Sequence, residues 1–99
     1  MKVYLDDERE TPEGWTRTYT VEETIDLLKT EEVTDLSLNN DLGEGLQEGY
    51  RVLDWMEAEV IGKGFKPPEN IQVHSGNPVR KIYMRNLINR IYKWYNEIK

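Results

Sequence analysis

The chain alternates short apolar runs with longer stretches of helical spacing. Lys2 to Leu5 is apolar and partly β-branched, and it stops at Asp6-Asp7, which predicts a buried strand. Thr11-Pro12-Glu13-Gly14 has turn chemistry. Trp15 to Tyr19 alternates large and polar groups, predicting a second strand at a sheet edge. Thr20-Val21-Glu22-Glu23 is a capping box, in which the Thr20 hydroxyl accepts from the Glu23 amide while Glu23 reaches back. Val21, Ile25 and Leu28 then share one face, so a helix is predicted over 21–31.

Thr34 to Leu38 reads as a third strand, ending at Asn39-Asn40-Asp41, with Leu42-Gly43-Glu44-Gly45 as a loop. Tyr50, Leu53, Met56 and Val60 recur at helical spacing and predict a helix over 48–61. Gly62 and Gly64 end it, and Pro67-Pro68 prevents its resumption. Asn70 to His74 is a fourth strand carrying Ile71 and Val73. Pro78 opens a long last helix with Leu87, Ile91, Trp94 and Ile98 as its stripe and Val79, Met84 and Ile88 beside it.

The predicted order is β-β-α-β-α-β-α. Strands alternating with helices predict an α/β fold, a mainly parallel four-stranded sheet with helices on both faces. Few residues join the first two strands, fewer than a parallel crossover usually needs. Either an extended loop makes that crossover, or the second strand is antiparallel.

With 99 residues the chain forms one domain, 1–99, large enough for a modest core without staples. There is no cysteine, which excludes disulfides and thiolate metal sites. No apolar run approaches the ~18 residues that span a bilayer, and the N-terminus meets acid too early for a signal peptide, so a cytoplasmic protein is expected. The net charge of −6 is uneven: residues 78–99 carry +5 and residues 1–77 carry −11. The basic segment either balances acidic surface or contacts nucleic acid or an acidic partner, and the overall negative charge disfavours a phosphate backbone.

The candidate chemistry lies at strand ends. In an open parallel sheet, ligands bind beyond the carboxyl ends of the strands. Asp6-Asp7, Asn39-Asn40-Asp41 and His74-Ser75 would converge there if the strands are parallel and adjacent. Asp6, Asp7 and Asp41 are hard oxygen donors suited to Mg²⁺, which is usually held by one or two carboxylates, waters and a phosphate. Acidic residues also commonly end strands and start turns, and Asp35 and Glu44 are read that way. In Ser75-Gly76-Asn77-Pro78, Asn77 is an N-cap and Pro78 starts a helix whose free amides attract phosphate. Gly76 permits close approach, Ser75 adds a donor and Arg80 adds charge; the competing reading is an ordinary capped helix. His74, the lone histidine, is a candidate general acid or base, or a hydrogen-bonded structural residue. Without a second histidine, transfer between two histidines in one chain is excluded. Trp15, Trp55 and Trp94 serve as core or as stacking surfaces. Tyr83, Tyr92, Trp94 and Tyr95 make the last helix apolar over a wide arc, leaving room for a homodimer or a protein partner.

Val3-Tyr4-Leu5-Asp6-Asp7-Glu8-Arg9, Thr11-Pro12-Glu13-Gly14-Trp15, Leu36-Ser37-Leu38-Asn39-Asn40-Asp41-Leu42-Gly43, Gly49-Tyr50-Arg51-Val52-Leu53-Asp54-Trp55, Gly64-Phe65-Lys66-Pro67-Pro68 and Val73-His74-Ser75-Gly76-Asn77-Pro78 follow one another in order. Together they resemble the cyclic-phosphate processing receiver domain, a divergent relative of response-regulator receivers, over nearly the whole chain. The resemblance implies a truncated receiver-like (flavodoxin-like) sheet of order 2-1-3-4, and hence a loop crossover. It implies that Asp6 and Asp7 match the metal-binding acids, that Ser75 matches the hydroxyl residue after the fourth strand, and that the ligand is a cyclic phosphate end of RNA. The chain departs from the pattern twice. Asn39 stands at the phosphate-accepting Asp, and an amide cannot be that nucleophile. A fifth strand with its lysine has no counterpart, so ordinary phosphorelay is not expected. The alternative is a receiver-like interaction module without catalysis.

Overall fold

The computed structural model describes residues 1–99 as β1 (Lys2–Leu5), β2 (Thr16–Thr18), α1 (Val21–Leu28), β3 (Asp35–Leu38), α2 (Tyr50–Lys63), β4 (Asn70–Val73) and α3 (Pro78–Ile98). The strands form one sheet in the order β2-β1-β3-β4, with every pairing parallel. The open question about β2 resolves to the loop crossover. Residues 6–15 carry the chain back without a helix, and Arg17 Nε donates to Thr11 Oγ1 across that loop at 2.6 Å.

Helix boundaries follow from local chemistry. At α1 the Glu23 amide donates to Thr20 Oγ1 at 3.2 Å, while the Glu23 carboxylate reaches back to the Tyr19 amide at 3.3 Å. The helix stops three residues short of the expected 31, because Glu31 takes a left-handed φ of 61° and reverses the chain without a glycine. α2 runs two residues past the expected 61, since Gly64 rather than Gly62 takes the left-handed C-cap position, at φ 69°. Asn77 caps α3 by accepting from the Arg80 amide at 3.1 Å.

The register sorts each strand into two faces. Val3, Leu36 and Ile71 lie side by side, as do Leu5, Leu38 and Val73. This apolar face joins Val21 and Leu28 of α1, Val52, Leu53, Met56 and Val60 of α2, and Met84, Leu87, Ile88 and Ile91 of α3 in one core. Each fully buried side chain of this kind contributes about 1.5–3 kcal/mol of hydrophobic stabilisation. The other face carries Arg17, Tyr4, Ser37 and Gln72 in lateral register.

The expectation of helices on both faces is therefore corrected: all three helices share the apolar face. Handedness gives the reason. β2→α1→β3 and β3→α2→β4 both progress in one direction across the sheet, so right-handed crossovers place both helices on the same side. β1→β2 runs the opposite way, and its loop must cross the opposite face. There Trp15 meets Tyr4 edge-on, with ring centroids 6.1 Å apart, and Tyr4 stacks on His74 at 4.2 Å and 3°. No helix is long and apolar enough to cross a membrane.

Candidate functional site at the strand ends

Because the strands are parallel and β1 lies beside β3, their polar C-terminal extensions meet at one end of the sheet. A cleft of about 350 Å³ opens there. The β1–β2 loop supplies Asp6, Asp7, Glu8 and Arg9, the β3–α2 loop supplies Asn39, Asp41 and Gly43, and Gly76 closes it from the start of α3. The three acids expected to share a site, Asp6, Asp7 and Asp41, thus line one cleft.

They are not equivalent. Asp6 is 1% exposed. Its Oδ1 accepts from the amides of Glu8 and Arg9 at 2.9 and 3.0 Å, and its Oδ2 accepts from His74 Nε2 at 2.9 Å. Burial alone would push its acidity toward the neutral form. The two amides and His74 outweigh burial and hold the carboxyl below its ordinary pKa of 3.8. Asp7 and Asp41 are more open, and Asp7 Oδ2 lies against Gly43, which turns at φ 113°. Asp41 Oδ1 accepts from Asn40 Nδ2 at 3.3 Å.

No three His, Cys, Asp or Glu side chains stand together as a ready-made metal cage. The donor set still fits Mg²⁺, which keeps several waters and takes one or two carboxylates rather than a full protein shell. Asp6, Asp7, Glu8 and Asp41 are the carboxylates that line the cleft, and Asp6 is the buried one among them.

His74 is placed between the cleft and the helix-free face. Its Nδ1 meets Ser37 Oγ at 2.7 Å, opposite the Asp6 contact. Burial is the largest influence on His74 and holds its pKa below the usual 6.5, against the upward pull of Asp6. A neutral ring satisfies both partners in one arrangement: Nε2–H donates to Asp6 while Nδ1 accepts from the Ser37 hydroxyl. Both nitrogens are thereby committed within the protein, and the ring does not line the cleft. These two contacts hold the His74 ring and the Asp6 carboxylate in a fixed mutual orientation.

The remaining candidates divide. Gly76 lines the cleft. Ser75 is buried, and its Oγ accepts from the Asn77 amide at 3.1 Å, shaping the turn. Asn77 is occupied as the cap of α3. Arg80 points elsewhere: it pairs with Glu48 at 3.4 Å and lies over the rings of Tyr50 and Tyr83. The cation that does face the cleft is Arg9, whose side chain is half exposed. Arg9 went unremarked in the sequence because it follows three acids in a loop without periodicity. Ser37 did carry a signal, a hydroxyl inside the apolar run Leu36-Ser37-Leu38.

Asn40 joins the site to the helix layer. It is fully buried, its Oδ1 accepts from the Tyr50 amide at 3.2 Å, and its carbonyl accepts from the Gly49 amide at 2.8 Å. It therefore does for α2 what no side chain of Gly49 can.

A four-stranded parallel sheet of order 2-1-3-4, with paired acids after its first strand and a hydroxyl residue after its fourth, defines a receiver-like domain. The family model for the cyclic-phosphate processing receiver domain matches residues 1–90, and the chain belongs to that family. Comparison with curated proteins and with solved structures finds no match.

Proposed function

We propose that the cleft binds a divalent cation together with a terminal phosphate, in the form of a cyclic phosphate end of RNA. The observation that carries this reading is the convergence of Asp6, Asp7 and Asp41 with Arg9 and Gly76 on one cleft. Asp7 and Asp41 would hold Mg²⁺, whose charge neutralises phosphate oxygens. Arg9 adds a fork of donors matched to a phosphate, and Gly76 leaves room beside the start of α3 for close approach. Ser75 and Asn77 fix the turn that presents Gly76. His74 and Ser37 hold Asp6 in one orientation, so its charge stays fixed behind the cation.

This reading is one of binding. Asn39 lines the cleft where receivers carry the acceptor carboxylate, and its amide is no nucleophile. Its Nδ2 donates to the Asp41 carbonyl at 2.8 Å and its Oδ1 accepts from the Asn40 amide at 3.0 Å, which braces the loop that carries Asp41.

The test is an amide-shift NMR titration with Mg²⁺, then with a short RNA ending in a 2′,3′-cyclic phosphate. Shifts centred on Asp6, Asp7, Asp41 and Gly76 are expected. Asp7→Asn and Asp41→Asn should each weaken Mg²⁺ about tenfold or more, while Asp35→Asn, at the other end of β3, leaves it unchanged. If the wild type shows no shifts at millimolar ligand, the cleft is not such a site. The exposed side chains of α3, Val79 and Ile82 foremost, would then favour a non-catalytic protein-interaction module.

A further inference from the structure

Beside the cleft lies a cluster that the binding of a phosphate alone does not use. Tyr50 opens α2 and Tyr83 lies in the second turn of α3; their rings meet edge-on with centroids 5.5 Å apart. The Arg80 guanidinium sits 4.9 Å from the Tyr50 centroid and 5.8 Å from that of Tyr83. The Arg51 guanidinium lies 4.9 Å from the same Tyr50 ring. Both helix starts are tied to the cleft. The Tyr50 amide donates to Asn40, between cleft residues Asn39 and Asp41, and the Arg80 amide donates to Asn77, next to Gly76.

The cluster is accessible. Tyr83 is 41% exposed, and the Arg80 and Glu48 side chains are 37% and 43% exposed. Two guanidinium groups on one tyrosine repel each other, so the arrangement favours an anion above it. Glu48 meets that demand for Arg80 with a single 3.4 Å contact, and Asp54 does so for Arg51 at 3.3 Å. Exposed pairs of this kind are weak and exchange readily for another anion. Planar guanidinium and tyrosine surfaces are elements that bind single-stranded nucleic acid, by stacking bases and pairing phosphates.

The geometry points to a nucleotide subsite on this rim: the strand that ends in the cleft lays its adjoining base on Tyr83 and Arg80, and its next phosphate displaces Glu48 from Arg80. This rests on the cleft reading and deepens it by naming the residues that would hold the nucleotide next to the terminal phosphate. The site selects a single-stranded oligonucleotide end over a free phosphate.

The experiment compares three probes in the presence of Mg²⁺: inorganic phosphate, a short RNA ending in a 2′,3′-cyclic phosphate, and the same RNA with its last base removed. Wild-type protein should bind the intact RNA about tenfold more tightly than the abasic one. Tyr83→Ala should remove that preference and leave inorganic phosphate binding unchanged. Glu48→Gln should tighten RNA binding by freeing Arg80, a gain that a merely structural cluster would not show. Equal affinity for intact and abasic RNA, or RNA affinity indifferent to Tyr83→Ala and Glu48→Gln, overturns the subsite even if phosphate binds the cleft. RNA binding that survives Asp7→Asn but falls with Tyr83→Ala upholds the rim and overturns the cleft reading. An acidic peptide that binds as tightly as RNA and loses affinity equally with Tyr83→Ala also overturns the subsite, and assigns the rim to a protein partner.

Discussion

At the scale of single residues, His74 shows how burial decides a role. A histidine at a strand end is a natural candidate for proton transfer. Here the ring is stacked on Tyr4, and both nitrogens are engaged by Asp6 and Ser37. Burial favours the neutral ring in the fold, while the unfolded chain takes a proton near pH 6.5. As pH falls below 6.5 the unfolded state binds that proton first, so stability declines toward the lower folded pKa. The Asp6 carboxyl, held below 3.8, adds a second loss of stability at more acidic pH. The urea midpoint should fall between pH 7 and pH 5, and His74→Gln should flatten that dependence. A wild-type midpoint constant over this range would show that His74 titrates alike in both states.

The element scale is where the sequence spoke most unevenly. The caps at Thr20 and Asn77 and the stop near Gly64 were legible because each is a local hydrogen bond or a local backbone preference. The end of α1 was not, since Glu31 adopts a left-handed turn that glycine normally marks. The direction of β2 was legible only through the family resemblance, because a short run of alternating residues looks the same in either orientation. The junction of β3 with α2 depends on a contact no local pattern reveals. A Cβ on Gly49 would stand 1.9 Å from the Asn39 carbonyl oxygen, although its φ of −58° suits any residue. Gly49→Ala should therefore destabilise the protein by about 2–3 kcal/mol through overpacking, and should disturb the Asn39-Asn40-Asp41 turn. Chemical denaturation and the amide shifts of Asn40 and Asp41 measure both effects.

For the whole molecule, the informative contrast is between the two sides of the sheet. Parallel strands covered on both faces are near-continuous apolar runs. Leu36-Ser37-Leu38, Ile71-Gln72-Val73 and Thr16-Arg17-Thr18 alternate instead. The one-sided helix layer was thus present in the sequence, under a topological expectation that pointed elsewhere. The strand-end acids were legible for the opposite reason: Asp6-Asp7 and Asp41 follow apolar runs directly, and parallel pairing gathers whatever follows such runs. Arg9 and the rim at Arg80 depend on where long side chains turn, which chain order does not encode. The cover over Tyr4 is now Trp15, on a loop, in place of a helix. Trp15→Ala should cost roughly 2 kcal/mol, less than the ~3–5 kcal/mol of a fully buried tryptophan. Thermal unfolding followed by far-UV circular dichroism would show it, as the aromatic signal itself is altered.

The loop of residues 6–15 gives the cleft Asp6, Asp7 and Arg9 at one end and gives the sheet its Trp15 cover at the other. The lining of the cleft and the closure of the fold are thereby written into the same stretch of backbone. β2, three residues long and at the edge, has this loop as its tether. Any opening that peels β2 from β1 also dismantles the cleft, so a ligand held there as proposed would suppress that opening by mass action. Ligand at one end of the molecule would then appear as slowed amide exchange around Arg17, on the far side of the loop, with no contact there at all.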